Sequence, residues 1–293
     1  MDLVPLSLVL LAALLHAAWN FLVKGSEDPL TALWAALCAA LVFYFPLFLL
    51  RLPGAQFEPG GWIFVLATGV LHTVYFFTLG LAYRAGDLSA VYPLARGSAP
   101  LMVVVLAAFF LKERISLAGG AAILLVVAGI YVIHLKGFRA GDWLSPIRRG
   151  RETAVRWALA TGLTTAAYSV VDKAGVARVS PEIYIYLMFL LSILFMAPYT
   201  LTGARAVRVR ELLRDRAALL RTAAGGICTM AGYMLVLFAM RMSKVSYVVA
   251  AREVSVVIGA ALGVFVLKEG GARQKLLGSA LIAGGLTLLA LAR

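Results

Sequence analysis

Apolar residues in this chain fall into ten long runs separated by short polar breaks, at about residues 3–23, 30–50, 62–83, 88–111, 115–135, 155–171, 183–201, 219–240, 245–267 and 276–291. A hydrocarbon core of about 30 Å takes about 20 helical residues to cross, so each run is read as a transmembrane helix. Without water the backbone must satisfy its own N–H and C=O groups, and the runs lack the apolar/polar alternation of a barrel strand. The breaks leave no room for a soluble domain. The first run is expected to be retained: Met1-Asp2 offers no basic segment, and the run is too long for the core of a cleaved signal.

The pattern repeats. Phe109-Phe110-Leu111-Lys112-Glu113 ends one run and Phe265-Val266-Leu267-Lys268-Glu269 ends another 156 residues later, which sets Arg96 opposite Arg252. His16-Ala17-Ala18-Trp19-Asn20, leading to Lys24, matches Thr165-Ala166-Ala167-Tyr168-Ser169, leading to Lys173, at an offset of 149. The chain reads as a tandem duplication with five runs in each half. An odd number sends the second copy into the membrane from the opposite side, the sequence form of an inverted repeat. The expected fold is an all-α integral membrane protein, ten transmembrane helices arranged as two inverted five-helix repeats (1–140 and 150–293) around a central cavity.

Composition agrees: 62% of residues are hydrophobic, 14% are charged, and the mean hydropathy is +0.94, outside the range of soluble domains. The net charge of +13 sits at membrane edges, where it orients the chain and meets anionic headgroups, so nucleic acid is not an expected partner. One face carries 17 Lys and Arg against 8 on the other, concentrated around Arg149 and Arg210. The positive-inside rule makes that face cytoplasmic and both termini external. Cys38 and Cys228 lie inside runs without metal or redox spacing and read as small buried side chains.

Each half closes on an apolar run, Lys-Glu, a short turn and a Gly-rich last helix. With Ala82-Tyr83-Arg84-Ala85-Gly86, Pro100, Lys112-Glu113 and Gly119-Gly120 to Gly129 in the first half, and Ala239-Met240-Arg241-Met242-Ser243, Lys268-Glu269 and Gly278 to Gly285 in the second, the whole chain resembles the EamA-type members of the drug/metabolite transporter superfamily. The resemblance implies two pseudo-symmetric halves around a cavity, with helices one, three, four, six, eight and nine near the path and five and ten peripheral. It also implies both termini in the cytoplasm, which conflicts with the charge count. It does not fix a substrate.

Ionisable groups inside a membrane helix cost about 2.5–3.5 kcal/mol each on insertion scales and are functional candidates by default. Arg96, Arg252 and Glu253 qualify. A guanidinium at that depth can hold a carboxylate or phosphate through two parallel hydrogen bonds. Glu253 and Arg252, adjacent on a helix, point about 100° apart, so Glu253 is free to pair with Arg96; such a pair would otherwise only lock the halves together. His16, Trp19 and Asn20 share one face of the first helix, with Tyr168 and Ser169 as repeat equivalents of Trp19 and Asn20. They line the cavity or act as packing glue. His72, Tyr75, Tyr92 and Tyr233 are further lining candidates against a lipid-facing or packing role. Asp172 and Lys173 read as a solvated helix end, Lys24 and Lys173 as snorkelling, and the two Lys-Glu pairs as turn and cap residues.

The function expected is secondary transport, as exporter or exchanger, of a small polar metabolite such as an amino acid or another carboxylate- or phosphate-bearing solute, by alternating access. No Gly-x4-Gly-Lys-Ser/Thr loop is present, so ATP is not the expected driver, and no cofactor or metal is called for. The expected partners are the small-molecule substrate and the lipid bilayer of a cell membrane, bacterial inner membrane by the resemblance. Protons or a counter-substrate remain open as coupling partners, and monomer or homodimer as the assembly. A membrane-embedded enzyme needs a concentrated acid/base or metal set, which His16, His72 and His134 do not form by spacing. A channel or non-transporting scaffold is the third class.

Overall fold

The computed structural model describes residues 1–23, 28–85, 88–135, 137–138, 152–265 and 272–291. Among them are twelve α-helices: α1 (Leu3–Val23), α2 (Pro29–Arg51), α3 (Gly61–Ala85), α4 (Leu88–Phe110), α5 (Leu117–Ile133), α6 (Glu152–Gly175), α7 (Pro181–Thr200), α8 (Gly203–Arg214), α9 (Arg216–Met242), α10 (Val245–Arg252), α11 (Val254–Phe265) and α12 (Ala272–Leu291). Pro29 and Pro181 open α2 and α7, where a missing N–H costs nothing. Ser116 caps α5 by accepting from the Gly119 amide at 3.2 Å. Asp215 caps α9 through the Ala217 and Ala218 amides at 2.9 and 3.1 Å.

Two elements depart from the sequence reading. The ninth run, expected as one helix, is interrupted at Glu253 between α10 and α11. The basic connection after α7, read from the sequence only as a break between runs, holds α8, whose Arg205 and Arg208 meet Asp28 at 3.2 and 3.1 Å and pin it to the start of α2. Its other arginines stay on the surface because arginine clusters at a membrane edge favour headgroups and water over burial.

Among the described residues, five segments suffice by length and hydropathy alone to cross a membrane: Leu30–Gly54, Gly61–Ala82, Pro181–Thr200, Arg216–Met242 and Arg273–Leu291; Leu3–Trp19, Leu94–Phe110 and Leu117–Ile133 are shorter apolar helices. The exterior is apolar, with Leu117, Val42 and Leu50 at 96%, 77% and 76% exposure, while Thr68, His72, Asp172, Arg252 and Glu253 are buried. That inversion of the soluble pattern belongs to a multi-pass integral membrane protein with lipid as its outer solvent. It also explains α6, too polar to stand in lipid alone: it lies against α3 and α4, with Thr161, Thr164, Thr165, Ser169 and Asp172 turned into protein.

Helices before residue 140 pack mainly on helices after 150. α1 lies on α9, α3 on α6 and α7, α2 on α9 and α7, α4 on α6, and α5 on α12. In the last pair backbones touch. A Cβ on Gly129 would come 2.6 Å from the Gly278 carbonyl, one on Gly278 would come 2.5 Å from the Gly129 carbonyl, and one on Gly285 would come 2.8 Å from the Ala122 carbonyl. Glycine here removes the side chain that would hold the helices apart. The small-xxx-small pair Gly259 and Gly263 lies outside the described side chains.

At one end of the bundle, Gln56, Glu58, Arg178 and Ser180 join two loops. The Gln56 amide donates to Ser180 Oγ, the Ser180 amide to the Gln56 carbonyl, both at 2.9 Å, and the Glu58 amide to the Arg178 carbonyl at 3.0 Å. Replacing Gly129 with valine should push α5 from α12, because the obstacle is backbone and cannot rotate away. A loss of about 1–3 kcal/mol is expected in thermal or denaturant unfolding in detergent, with Gly120→Val, at an open position, as the control.

Candidate functional site

The break in the ninth run puts two charges at the centre of the bundle. α10 ends at Arg252, the Glu253 amide donates to the Ala250 carbonyl at 3.1 Å, and α11 begins at Val254. Arg252 and Glu253 are 5% and 1% exposed. From α4, Arg96 Nε lies 3.2 Å from Glu253 Oε2, and its Nη2 donates to Ser255 Oγ at 3.0 Å. The Nε contact is an ion pair by distance without hydrogen-bond alignment, since neither Glu253 oxygen has a hydrogen-bond donor among the described residues. Arg252 is held differently. Its buried Nε has no hydrogen-bond partner among the described residues.

Other elements converge on these charges. His16 on α1 is within electrostatic reach of both Arg96 and Arg252, and its Nδ1 accepts from Trp19 Nε1 at 3.0 Å with the rings edge to face. Opposite, His72 and Tyr75 from α3, Tyr168 from α6 and Tyr233 from α9 form an aromatic cluster. His72 stacks on Tyr168 at 4.1 Å between centroids and meets Tyr233 edge-on at 5.4 Å. Tyr75 meets Tyr168 at 5.6 Å. Arg252 is in electrostatic reach of Tyr168 and Tyr233. Nine of the sequence candidates therefore share one region, built from α1, α3, α4, α6, α9 and the α10–α11 break. Ser169 belongs to it only as helix packing, because its hydroxyl donates to the Thr165 carbonyl at 2.7 Å. The side chains of Asn20 and Tyr92 lie outside the described residues.

Asp172 is the principal correction. The sequence reading made it a solvated terminus; it is fully buried. Its Oδ1 accepts from Thr68 Oγ1 at 2.5 Å and Tyr184 OH at 2.9 Å, and its Oδ2 from Tyr233 OH. α6 runs four residues past the expected end of its run, and those residues pack between α3, α7 and α9 instead of meeting water. A signal existed. At the offset of 149 that aligns Lys173 with Lys24, Asp172 falls on Val23, so the acid breaks the repeat. Lys173 does not snorkel either; it donates to the carbonyls of Met240 and Ser243, capping the end of α9.

Glu113 joins the halves from outside the cluster. Lys112 adopts φ +56°, the left-handed conformation that ends α4, and the Glu113 amide returns to the Ala107 carbonyl at 3.1 Å. The carboxylate then crosses to α10, accepting from the Val245 amide at 2.7 Å and Ser246 Oγ at 2.9 Å. This is the cap role expected of the first Lys-Glu pair, exerted on the other half. Lys24, Lys268 and Glu269 lie outside the described residues.

A family model described as the EamA-like transporter family matches residues 3–135 and 153–291. The chain belongs to the EamA-like transporter family, part of the drug/metabolite transporter superfamily, whose members are transporters and not enzymes. Among 29 matching chains of solved structures, one titled only as the crystal structure of a protein shares the fold at a TM-score of 0.71, with 20% identity over 99% of this chain and 98% of that one. No curated protein matches.

Removing one donor to Asp172 tests its buried state. Thr68→Val keeps the shape and deletes one hydrogen bond to a charged acceptor, so unfolding stability should fall by about 1.5–3 kcal/mol. A loss below 0.5 kcal/mol, roughly the range of a surface substitution, would mean that water already solvates the carboxylate.

Proposed function

We propose that the protein is a secondary transporter of a small polar metabolite bearing a carboxylate or phosphate, an amino acid among them, working by alternating access with Arg252 as the anion-holding group. The observation that carries this reading is the difference between the two central arginines. Arg96 is engaged by Glu253 and Ser255, whereas the Arg252 guanidinium sits at a helix break beside Tyr168 and Tyr233 with Nε unengaged among the described residues. A buried guanidinium whose Nε has no hydrogen-bond partner among the described residues suits contact with a carboxylate or phosphate. His16, Trp19, Tyr75 and Tyr168 supply lining that suits an apolar substituent.

The proposed architecture is ten spans in two inverted repeats, 1–140 and 150–293, around this site. Exchange of the halves supports it: α1 on α9 becomes α6 on α3, α2 on α9 becomes α7 on α3, and the Gly129–Gly278 contact becomes Gly285–Ala122 at an offset of 156. The 17 to 8 charge bias supports cytoplasmic placement of the basic connections around Arg149 and Arg210. A C-terminal reporter is then expected to be active only outside the cytoplasm, and activity solely inside would reverse the orientation.

For the pair Arg96–Glu253 a second role is favoured by its own geometry, that of a clasp between the halves. Arg96→Ala strands a buried carboxylate and should cost about 3–5 kcal/mol in folding, with partial recovery when the two residues are exchanged. Arg252→Lys keeps the charge but loses the fork, so affinity should fall about 10- to 100-fold in folded protein, and Arg252→Ala should lose more. Uptake into liposomes, screened over amino acids, organic acids and phosphorylated metabolites and normalised to folded protein, is the measurement. Normal rates in both Arg96→Ala and Arg252→Ala would rule out the anion site.

A further inference from the structure

We propose that His72 is the proton-binding site of this transporter and that its protonation is coupled to anion binding beside Arg252; the coupling rests on the anion-site reading, the proton site does not. The direction of the hydrogen bonds fixes where a proton can go. Thr68 Oγ1 gives its hydrogen to Asp172, and the Thr68 carbonyl can only accept. His72 Nδ1, 3.0 Å from both Thr68 oxygens, is therefore the donor. In the neutral ring the lone pair is on Nε2, the one atom able to take a proton.

The surroundings are built to carry the resulting imidazolium. A buried cation needs a counter-charge, and Asp172 supplies it one hydroxyl away. All three groups that donate to the carboxylate are hydroxyls, those of Thr68, Tyr184 and Tyr233, and among the described residues no Lys, Arg or His lies within ion-pair distance of it. The hydroxyls thus hold the carboxyl group in place without pairing it to a cation. The groups facing the imidazole are Tyr168 and Asp172 from α6, Tyr233 from α9 and, in electrostatic reach, Arg252 from α10; Tyr184 from α7 touches the carboxylate. Phe76 and Tyr75 complete the wall from α3 itself.

The step is a proton transfer only. A proton from water on one side of the membrane forms an N–H bond at Nε2, and the same bond breaks when the proton leaves to the other side. The sign of the coupling follows from charge. An imidazolium adds positive potential next to Arg252, so it favours a bound anion, and by linkage a bound anion favours the imidazolium. Affinity for an anionic solute should then rise as pH falls, approaching at most about tenfold per pH unit, the limit for one coupled proton.

Ring-labelled histidine in the full-length protein in detergent micelles gives a readout independent of any substrate. Of the signals from His16, His72 and His134, that of His72 is the one lost in His72→Gln, or the one remaining in His16→Gln/His134→Gln should the first variant fail to fold. It is expected to titrate reversibly within the pH range over which the protein stays folded. In Asp172→Asn, which removes the counter-charge and leaves the side-chain shape, its midpoint should drop by about one pH unit or more. A ring that does not titrate, or one with the same midpoint in Asp172→Asn, would overturn the proton site. Inorganic phosphate and L-leucine, added as probes, should raise the midpoint in the wild type but not in Arg252→Ala. Indifference to both probes in the wild type overturns the coupling while the proton site stands. An equal rise in Arg252→Ala overturns the anion reading instead.

Discussion

A charge in hydrocarbon must find a partner, and the Arg96–Glu253 contact at 3.2 Å is where this chain meets that demand. The two residues come from opposite halves, so the contact sets how α4 lies against the break between α10 and α11. The break in turn carries Arg252 into the middle of the bundle. Ser255, on the first turn of α11, takes the remaining edge of Arg96 and extends the same link. The centre of the molecule thus joins α4 to α10 and α11.

The same demand explains the polar interior away from the arginines. Asp172 is tolerated because Thr68, Tyr184 and Tyr233 bring it three hydroxyls from three different helices. Each of those contacts ties α6 to a neighbour, which lets a helix with five buried polar side chains be stable inside a protein whose outer surface is leucine, valine and phenylalanine. His72 connects this network to the aromatic cluster through Thr68 on one side and the Tyr168 ring on the other. Packing and chemistry are thus carried by one set of contacts.

At the helix ends, side chains satisfy backbone groups that the helices leave open. Glu113 leaves the end of α4 and caps α10, Lys173 leaves α6 and caps α9, and Ser116 caps α5 while its hydroxyl meets Tyr247 of α10 at 3.2 Å. Backbone groups at a helix terminus inside or near lipid have no water to fall back on, so side chains do that work, and the Glu113 carboxylate does it across the halves of the chain. The Gly129–Gly278 approach serves the same union at the periphery, where backbones meet directly.

The sequence by itself determined the class of protein, because run length and hydropathy answer directly to bilayer thickness and to the cost of exposed backbone groups in lipid. It also marked Arg96, Arg252 and Glu253, since a charge in an apolar run stands out in one dimension. Only the tertiary structure decided how those charges differ. Arg96 and Arg252 are equivalent along the chain, yet Arg96 contacts Glu253 and Ser255 directly, while Arg252 is in electrostatic reach of Glu253 and its Nε has no hydrogen-bond partner among the described residues. Asp172 was misread for the same reason: its distance from a run's end suggested water, whereas its solvation depends on Thr68, Tyr184 and Tyr233, 104, 12 and 61 residues away. The interruption at Glu253 was equally hidden, because no Gly or Pro stands close to Arg252 and Glu253 to mark a break in the helix.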